Sequence, residues 1–401
     1  MNAKFLALIA TGMPGLHKLL SLVAATAVWG SVGGGVYAVE FALIYFLCIF
    51  SSSGINALIL KEVPANKTEK RIEILCTAIL SSLGISFLTL VIWLIAAHMF
   101  PLLNSDYKFG VILFVMSISV YQQIRMFLLA TKCYYRLIAF DTLLLLNFVL
   151  PIFIFTIEKY FLFAPLGSVL IIGGYFVIFE LYKNSRIDIP MFLNGTVALY
   201  TFNILVSTGI IAIFPKVIDF YWGVENANKV AMLMSVFGFF TLFSRGLSNY
   251  YSPDLSNAIN SKGNTKIILE KFRNVVKIVF LISGVFSIIV ITSLVYLNLG
   301  AVNPFVSNNF LLLGVFLFTL APSFSVPEGL LLFFASKQKY NVSSNMAYSL
   351  FFVVLSVLIS RKVGVTMEWY ILVLSLASFA RVVYLRQKVK GFYKYASSNN
   401  N

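Results

Sequence analysis

The chain has 401 residues, of which 60% are hydrophobic and 11% charged, and its mean hydropathy is +0.91. A soluble domain carries about 25% charged residues, so this composition cannot cover a water-exposed surface, and a soluble enzyme or binding module is excluded. The net charge of +15 comes from 30 Lys and Arg against 15 Asp and Glu, but the cations sit in short clusters between apolar runs. A nucleic-acid binder gathers them on one face, so no nucleic-acid partner is expected.

Met1 to Lys4 is too short for a separate signal region, and no small-residue cleavage site follows the first apolar run, so that run is read as a span. It opens a hairpin from Leu6 to Pro64, two apolar segments joined by Trp29-Gly30-Ser31-Val32-Gly33-Gly34-Gly35-Val36-Tyr37 and closed by Ser51-Ser52-Ser53-Gly54-Ile55-Asn56. Each segment is about 20 residues long, which at 1.5 Å per residue matches the roughly 30 Å hydrocarbon core of a bilayer. Twelve such apolar spans are expected: Ala7–Val28, Val39–Leu60, Ile74–Met99, Phe109–Ala130, Leu137–Ile157, Phe161–Tyr182, Leu193–Phe214, Val230–Tyr250, Val275–Leu297, Leu311–Phe334, Val342–Ile359 and Trp369–Leu385. The fold class is therefore all-α and polytopic. Gly12 and Pro14 should bend the first span or mark where it enters the membrane, and Pro322 and Pro327 should kink the tenth.

Lys and Arg are retained on the cytoplasmic side of membranes. One set of alternate connections carries Lys4, then Lys61, Lys67, Lys70 and Arg71, and continues through Lys132, Arg136, Lys183, Arg186 and the run Lys262 to Lys277 to Lys337, Lys339 and the cations from Arg386 to Lys394. The opposite set carries only Lys108, Lys159, Lys229, Arg361 and Lys362. Both termini are thus placed in the cytoplasm, which requires an even number of spans. The run Lys262 to Lys277 lies where anionic headgroups would attract it, and it is read as an ordinary inside loop in preference to a specific lipid site.

No extramembrane segment is available for enzyme chemistry. The longest connection, from about Ser252 to Asn274, holds Asp254 and Glu270 but no His, and His17 and His98 have no nucleophile or metal partner nearby. Cys48, Cys76 and Cys133 show neither CxxC nor Cys/His spacing, so they are read as small apolar fillers, with no disulfide framework, metal or cofactor.

The two halves share a pattern. Trp29-Gly30 follows the first span and Trp222-Gly223 the seventh, and each is followed by a Gly-containing close, Gly54-Ile55-Asn56 or Gly246-Leu247-Ser248-Asn249, and then by Pro64 or Pro253. Six spans separate the copies, so both run in the same direction. Parallel repeats related by an axis along the membrane normal are a transporter architecture. On this reading residues 1–185 and 186–401 form two six-helix bundles related by a pseudo-two-fold.

The hairpin close Ser-Gly-Ile-Asn-Ala-Leu followed by Lys61-Glu62 resembles the start of polysaccharide flippases of the multidrug/oligosaccharidyl-lipid/polysaccharide exporter superfamily. In the second half, Tyr221-Trp222-Gly223-Val224-Glu225, Phe239-Phe240-Thr241-Leu242-Phe243-Ser244-Arg245-Gly246 and Pro253-Asp254-Leu255-Ser256 are similar to that family's seventh and eighth helices. The resemblance implies a V-shaped pair of bundles in a bacterial inner membrane, moving undecaprenyl-pyrophosphate-linked oligosaccharide units, O-antigen or capsule repeats, from the cytoplasmic to the periplasmic leaflet. It also implies membrane lipids, a polysaccharide polymerase and a chain-length regulator as partners.

Charged residues inside spans give an argument of their own. A charge at mid-membrane costs about 2.5–3.5 kcal/mol on insertion scales, so one that persists faces a partner or an aqueous cavity. Lys18, Arg125 and Arg245 all fall in the cytoplasmic half of their spans, where a pyrophosphate would first be captured; the alternative is that each snorkels to the interface. Glu328, beside Pro327, either pairs with a cation or lines the path. Glu40, Asp141 and Glu180, near span ends, are read as interfacial. Tyr121, Gln122, Gln123 and Asn147 are open between sugar contacts and bonds between helices.

The serious rival is a cation-coupled multidrug antiporter of the same superfamily. Such proteins resemble this chain but place an acid in the first helix or in the second bundle, and Ala7–Val28 contains no Asp or Glu. A major-facilitator transporter is disfavoured because Lys61 to Arg71 lacks a Gly-x-x-x-Asp-Arg-x-Gly loop. A polymerase or ligase is disfavoured by the lack of a large periplasmic loop.

Overall fold

The computed structural model describes residues 3–178, 195–260, 265–296, 309–335, 337–360 and 364–398. Every element in them is helical: α1 Ala3–Ala65, α2 Thr68–Met99, α3 Lys108–Ala130, α4 Tyr134–Ile154, α5 Ile157–Ile178, α6 Gly195–Ile204, α7 Ile210–Trp222, α8 Val224–Asn260, α9 Thr265–Tyr296, α10 Asn309–Leu320, α11 Val326–Phe334, α12 Gln338–Ser360 and α13 Met367–Ser398. Among the described residues, nine helical segments are long and apolar enough to cross a membrane, one of them the 56-residue Ile9–Pro64 that contains both arms of the hairpin. Large apolar side chains face outward, Phe87 and Ile95 on α2 and Leu281 on α9 each more than 60% exposed, while many serines and, among the described residues, three carboxylates are buried. This inversion of the soluble pattern, with backbone groups satisfied inside helices, is what a lipid solvent selects.

The chain divides into two compact units, Met1–Asn228 and Lys229–Asn401. The boundary expected at 185/186 lies outside the described residues.

In the first unit, α1 is the axis against which α2, α3, α4, α6 and α7 pack. Its helix is broken at one residue, Gly30, with φ 73° and ψ −177°, a conformation open to glycine and costly to any side chain. The glycine-rich link is therefore not a loop, and Ser31 to Val36 are helical. Gly35 is there for another reason: a Cβ at that position would run into the carbonyl of Val224. Gly223 ends α7 with φ 88° and ψ 163°, so both Trp-Gly pairs of the sequence repeat make the same break. Asn228 splints the first one, its Nδ2 donating to Ser31 O at 3.1 Å while its Oδ1 accepts from Thr26 Oγ1 at 3.2 Å.

Beside this break an aromatic cluster closes the core. Tyr37 stacks on Phe41 at 4.4 Å and Tyr107 on Phe161 at 4.7 Å, and Trp29 Nε1 donates to Phe155 O at 3.1 Å. The seventh span runs on past Phe214 to Trp222 through a π-helical turn at Leu205–Gly209, which corrects the expected end. Lys216 can extend an apolar helix because its charge is matched, as described below.

In the second unit the tenth span is interrupted where the prolines predict, by a 3₁₀ turn at Ala321–Ser325. The loop expected from Ser252 to Asn274 is instead mostly helix, since α8 reaches Asn260 and α9 starts at Thr265. The start of α9 is amphipathic. Lys266, Glu270 and Lys271 are exposed, whereas Leu269 and Phe272 enter a core with Leu255, Leu331, Leu385 and Val389.

Candidate functional site

Pro14 has no N–H, so the carbonyl of Ala10, four residues earlier, has no donor within α1. The donor comes from another helix, Arg125 Nη2 on α3 reaching Ala10 O at 2.6 Å. A guanidinium this deep needs a counter-charge, and α4 supplies one: Arg125 Nε lies 3.5 Å from Asp141 Oδ2, and Tyr121 Oη donates to Asp141 Oδ1 at 2.7 Å. Arg125 is 7% exposed and Asp141 0%. His17, one helical turn beyond Met13 and also buried, meets Phe148 edge-on at 6.0 Å, and its Nε2 has no hydrogen-bond partner among the described residues.

Lys18 follows on the same helix but does not join this network. It is half-buried, and its ammonium has no ion pair or hydrogen bond among the described residues. Arg125, by contrast, is neither exposed to an aqueous path nor snorkelling; it ties α1, α3 and α4 together. Arg245 has a side chain that lies outside the described residues. Of the four candidates, then, the first unit contains Lys18 and Arg125, in different surroundings.

Glu328, the fourth, belongs to the second unit. It is fully buried, and its Oε1 accepts from Arg273 Nε at 2.8 Å and Arg386 Nε at 3.3 Å. One carboxylate thus holds two cations, joining α9, α11 and α13.

Two acids read as interfacial are buried instead. Asp141 accepts from Tyr121 through Oδ1 and faces Arg125 through Oδ2, as above. Glu40 is 4% exposed, accepts from Ser105 Oγ at 2.6 Å and lies 3.9 Å from Lys216 Nζ. Proximity to a span end says where a residue is along the membrane normal, but not whether another helix covers it. Glu180 lies outside the described residues.

The neutral polar residues bond between helices. Gln122 Oε1 accepts from Ser52 Oγ at 2.6 Å and Asn56 Nδ2 at 3.3 Å, Gln123 donates to Ser82, and Asn147 Nδ2 donates to Ala164 O and Ser168 Oγ, both at 2.9 Å. Ser51 Oγ and Ser119 Oγ, 2.6 Å apart, continue the same seam.

Sequence reasoning missed two cations, Lys216 and Arg381. Arg381 is half-buried in α13 and its Nε is buried with no hydrogen-bond partner among the described residues. The signal for it was available, as an Arg inside the apolar run Trp369–Leu385. Among the described residues no three His, Cys, Asp or Glu side chains come together as a metal site.

No family model matches the chain, and no curated protein matches it. Solved structures do match. The MATE multidrug transporter DinF-BH aligns over 96% of this chain and 94% of its own at 15% identity, TM-score 0.61. A multidrug resistance MATE family transporter of the MOP superfamily, inward-facing, aligns over 98% and 96% at 12% identity, TM-score 0.60. A MOP superfamily transporter from Pyrococcus furiosus, described by the reverse polarity of its binding pocket, aligns over 96% and 94% at 11% identity, TM-score 0.60. Identities this low show a shared fold, the all-helical MATE transporter architecture with two lobes of six helices.

Proposed function

We propose that the protein is a secondary transporter that moves a lipid-linked anionic glycan, an undecaprenyl-pyrophosphate-linked oligosaccharide, across a bacterial inner membrane by alternating access. The charge balance carries this reading. The three buried carboxylates among the described residues are each matched by protein cations: Asp141 by Arg125, Glu40 by Lys216, and Glu328 by Arg273 and Arg386. Lys18 and Arg381 have no such match among the described residues. These two half-buried cations stand without a carboxylate, and a pyrophosphate headgroup is a substrate chemistry that would use them. The fold accommodates pockets of differing polarity, as the description of the Pyrococcus furiosus neighbour indicates for that protein. The orientation with both termini in the cytoplasm, and a polymerase and chain-length regulator as partners, belong to the same proposal.

A second reading, a cation-coupled multidrug antiporter, is the one that the solved neighbours favour. Two of the solved neighbours above are multidrug transporters, and the missing acid of the first span is supplied from α4, since Asp141 pairs with the same Arg125 that bonds Ala10. Deleting the gene separates the two. Lost surface polysaccharide with lipid-linked units accumulating on the cytoplasmic face, and unchanged efflux of cationic dyes, supports the flippase. Reduced dye efflux with normal surface glycan replaces it by the antiporter.

A further inference from the structure

At the end of the second unit that the charge distribution assigns to the cytoplasm, three helices present cations around a single buried acid. Arg273 and Arg386 are 24% and 39% exposed along their side chains, while Glu328 is 0% exposed. Both guanidiniums are held through Nε on one carboxylate oxygen, so their four Nη nitrogens have no partner among the described residues. One negative charge between two positive ones leaves a net cation at this point. α12 and α13 carry further cations over tyrosine rings. Lys388 Nζ lies 5.3 Å from the ring centroids of both Tyr340 and Tyr384, and Lys339 Nζ lies 5.4 Å from that of Tyr340.

Ordinary inside-loop charges are solvated individually. Here two guanidinium planes are fixed by a buried carboxylate over the core of Phe272, Leu331, Leu385 and Val389, a preorganised fork for phosphate oxygens. The ligand's second half is indicated by α9 itself. One helical turn beyond Arg273 stands exposed Lys277, and one turn beyond that Leu281, 67% exposed, begins an outward apolar stripe with Ile282, Val285 and Ile289. A headgroup contact that continues directly into a lipid-facing stripe fits a molecule with acyl chains.

We propose that Arg273 and Arg386, braced by Glu328, bind the phosphate headgroup of an anionic phospholipid of the cytoplasmic leaflet, where such lipids attract basic segments. This rests on the proposed orientation but not on the transported substrate.

The test uses the purified full chain in detergent, titrated with phosphatidylglycerol, with phosphatidylcholine of the same acyl chains, and with inorganic pyrophosphate, reading thermal stability and lipid adducts by native mass spectrometry. Phosphatidylglycerol should bind saturably and about tenfold more tightly than phosphatidylcholine, whose own choline cation offsets its phosphate and is repelled by the two guanidiniums. Arg273→Gln/Arg386→Gln should reduce it to the phosphatidylcholine level; if that variant fails to fold, Arg386→Gln, at the more exposed position, should still weaken phosphatidylglycerol binding several-fold while leaving phosphatidylcholine unchanged. Equal response to the two lipids, or an Arg386→Gln protein that binds phosphatidylglycerol as the wild type does, overturns the proposal. A response to pyrophosphate as strong as that to phosphatidylglycerol also overturns it, by assigning the fork to a free phosphate.

Discussion

Replacing Arg125 by Met removes two things at once: the counter-charge of Asp141 and the donor that Pro14 denies to Ala10. Breaking a buried ion pair by deleting one partner costs about 3–5 kcal/mol, because the other charge is left unpaired. The orphaned carbonyl adds a smaller amount, about 0.6–1.7 kcal/mol by analogy with hydrogen bonds measured between transmembrane helices. The two contributions can be separated. Pro14→Ala restores an N–H to α1, so Arg125→Met should be less damaging in that background by about the carbonyl share. Asp141→Asn, in turn, removes the stranded charge, and Arg125→Met/Asp141→Asn should recover most of the larger share. Reversible SDS unfolding in mixed micelles gives the free energies, and double-mutant cycles give the coupling. Strict additivity of Pro14→Ala and Arg125→Met would show that the arginine does not serve the broken turn. Arg125→Met/Asp141→Asn no more stable than Arg125→Met would dispose of the ion pair.

Glu40→Gln should leave Lys216 buried beside a neutral amide and lower stability by more than Glu40→Gln/Lys216→Met does, a reversal readable from thermal denaturation; equal losses would mean that the two charges act separately. Gly30→Ala and Gly223→Ala should each cost about 1–3 kcal/mol, because alanine is forced to positive φ with extended ψ, and unchanged melting of either variant counts against the break. Lys18→Arg should keep export, whereas Lys18→Gln should lose about 1.5–3 kcal/mol of headgroup binding, roughly tenfold or more in affinity. Full complementation by Lys18→Gln at limiting expression removes it from the site. In a cysteine-free background, Asn226→Cys should react with an impermeant thiol reagent in spheroplasts and Asn66→Cys should not; the opposite pattern inverts the topology.

The helical spans were legible because a bilayer imposes a length on apolar runs, and because Pro322 and Pro327 interrupt a helix by chemistry that needs no neighbour. The Trp-Gly repeat was legible too, and Gly30 and Gly223 share one backbone conformation. What could not be read was which polar residues meet. Arg125 bonds a carbonyl 115 positions away, and Ser31 bonds Asn228 across 197. Hydropathy sees each as a local cost and not its remedy, so Glu40 and Asp141 were assigned to the interface and Lys216 went unnoticed. Gly33 to Gly35 misled for the opposite reason: they read as part of a connection between two spans, whereas they lie within a helix and packing against Val224 accounts for Gly35.

The splint across Gly30 also bears on how the protein is made. Ribosomes add about 5–20 residues per second, so about 10–40 s separate the synthesis of Ser31 from that of Asn228, which holds it from 197 positions downstream. Glu40 waits through nearly the same interval for Lys216. The opening hairpin therefore enters the bilayer with an unanswered carboxylate and an unsupported bend. Early helices can pack against it, but its break and its carboxylate are completed only when the last helices of that unit arrive.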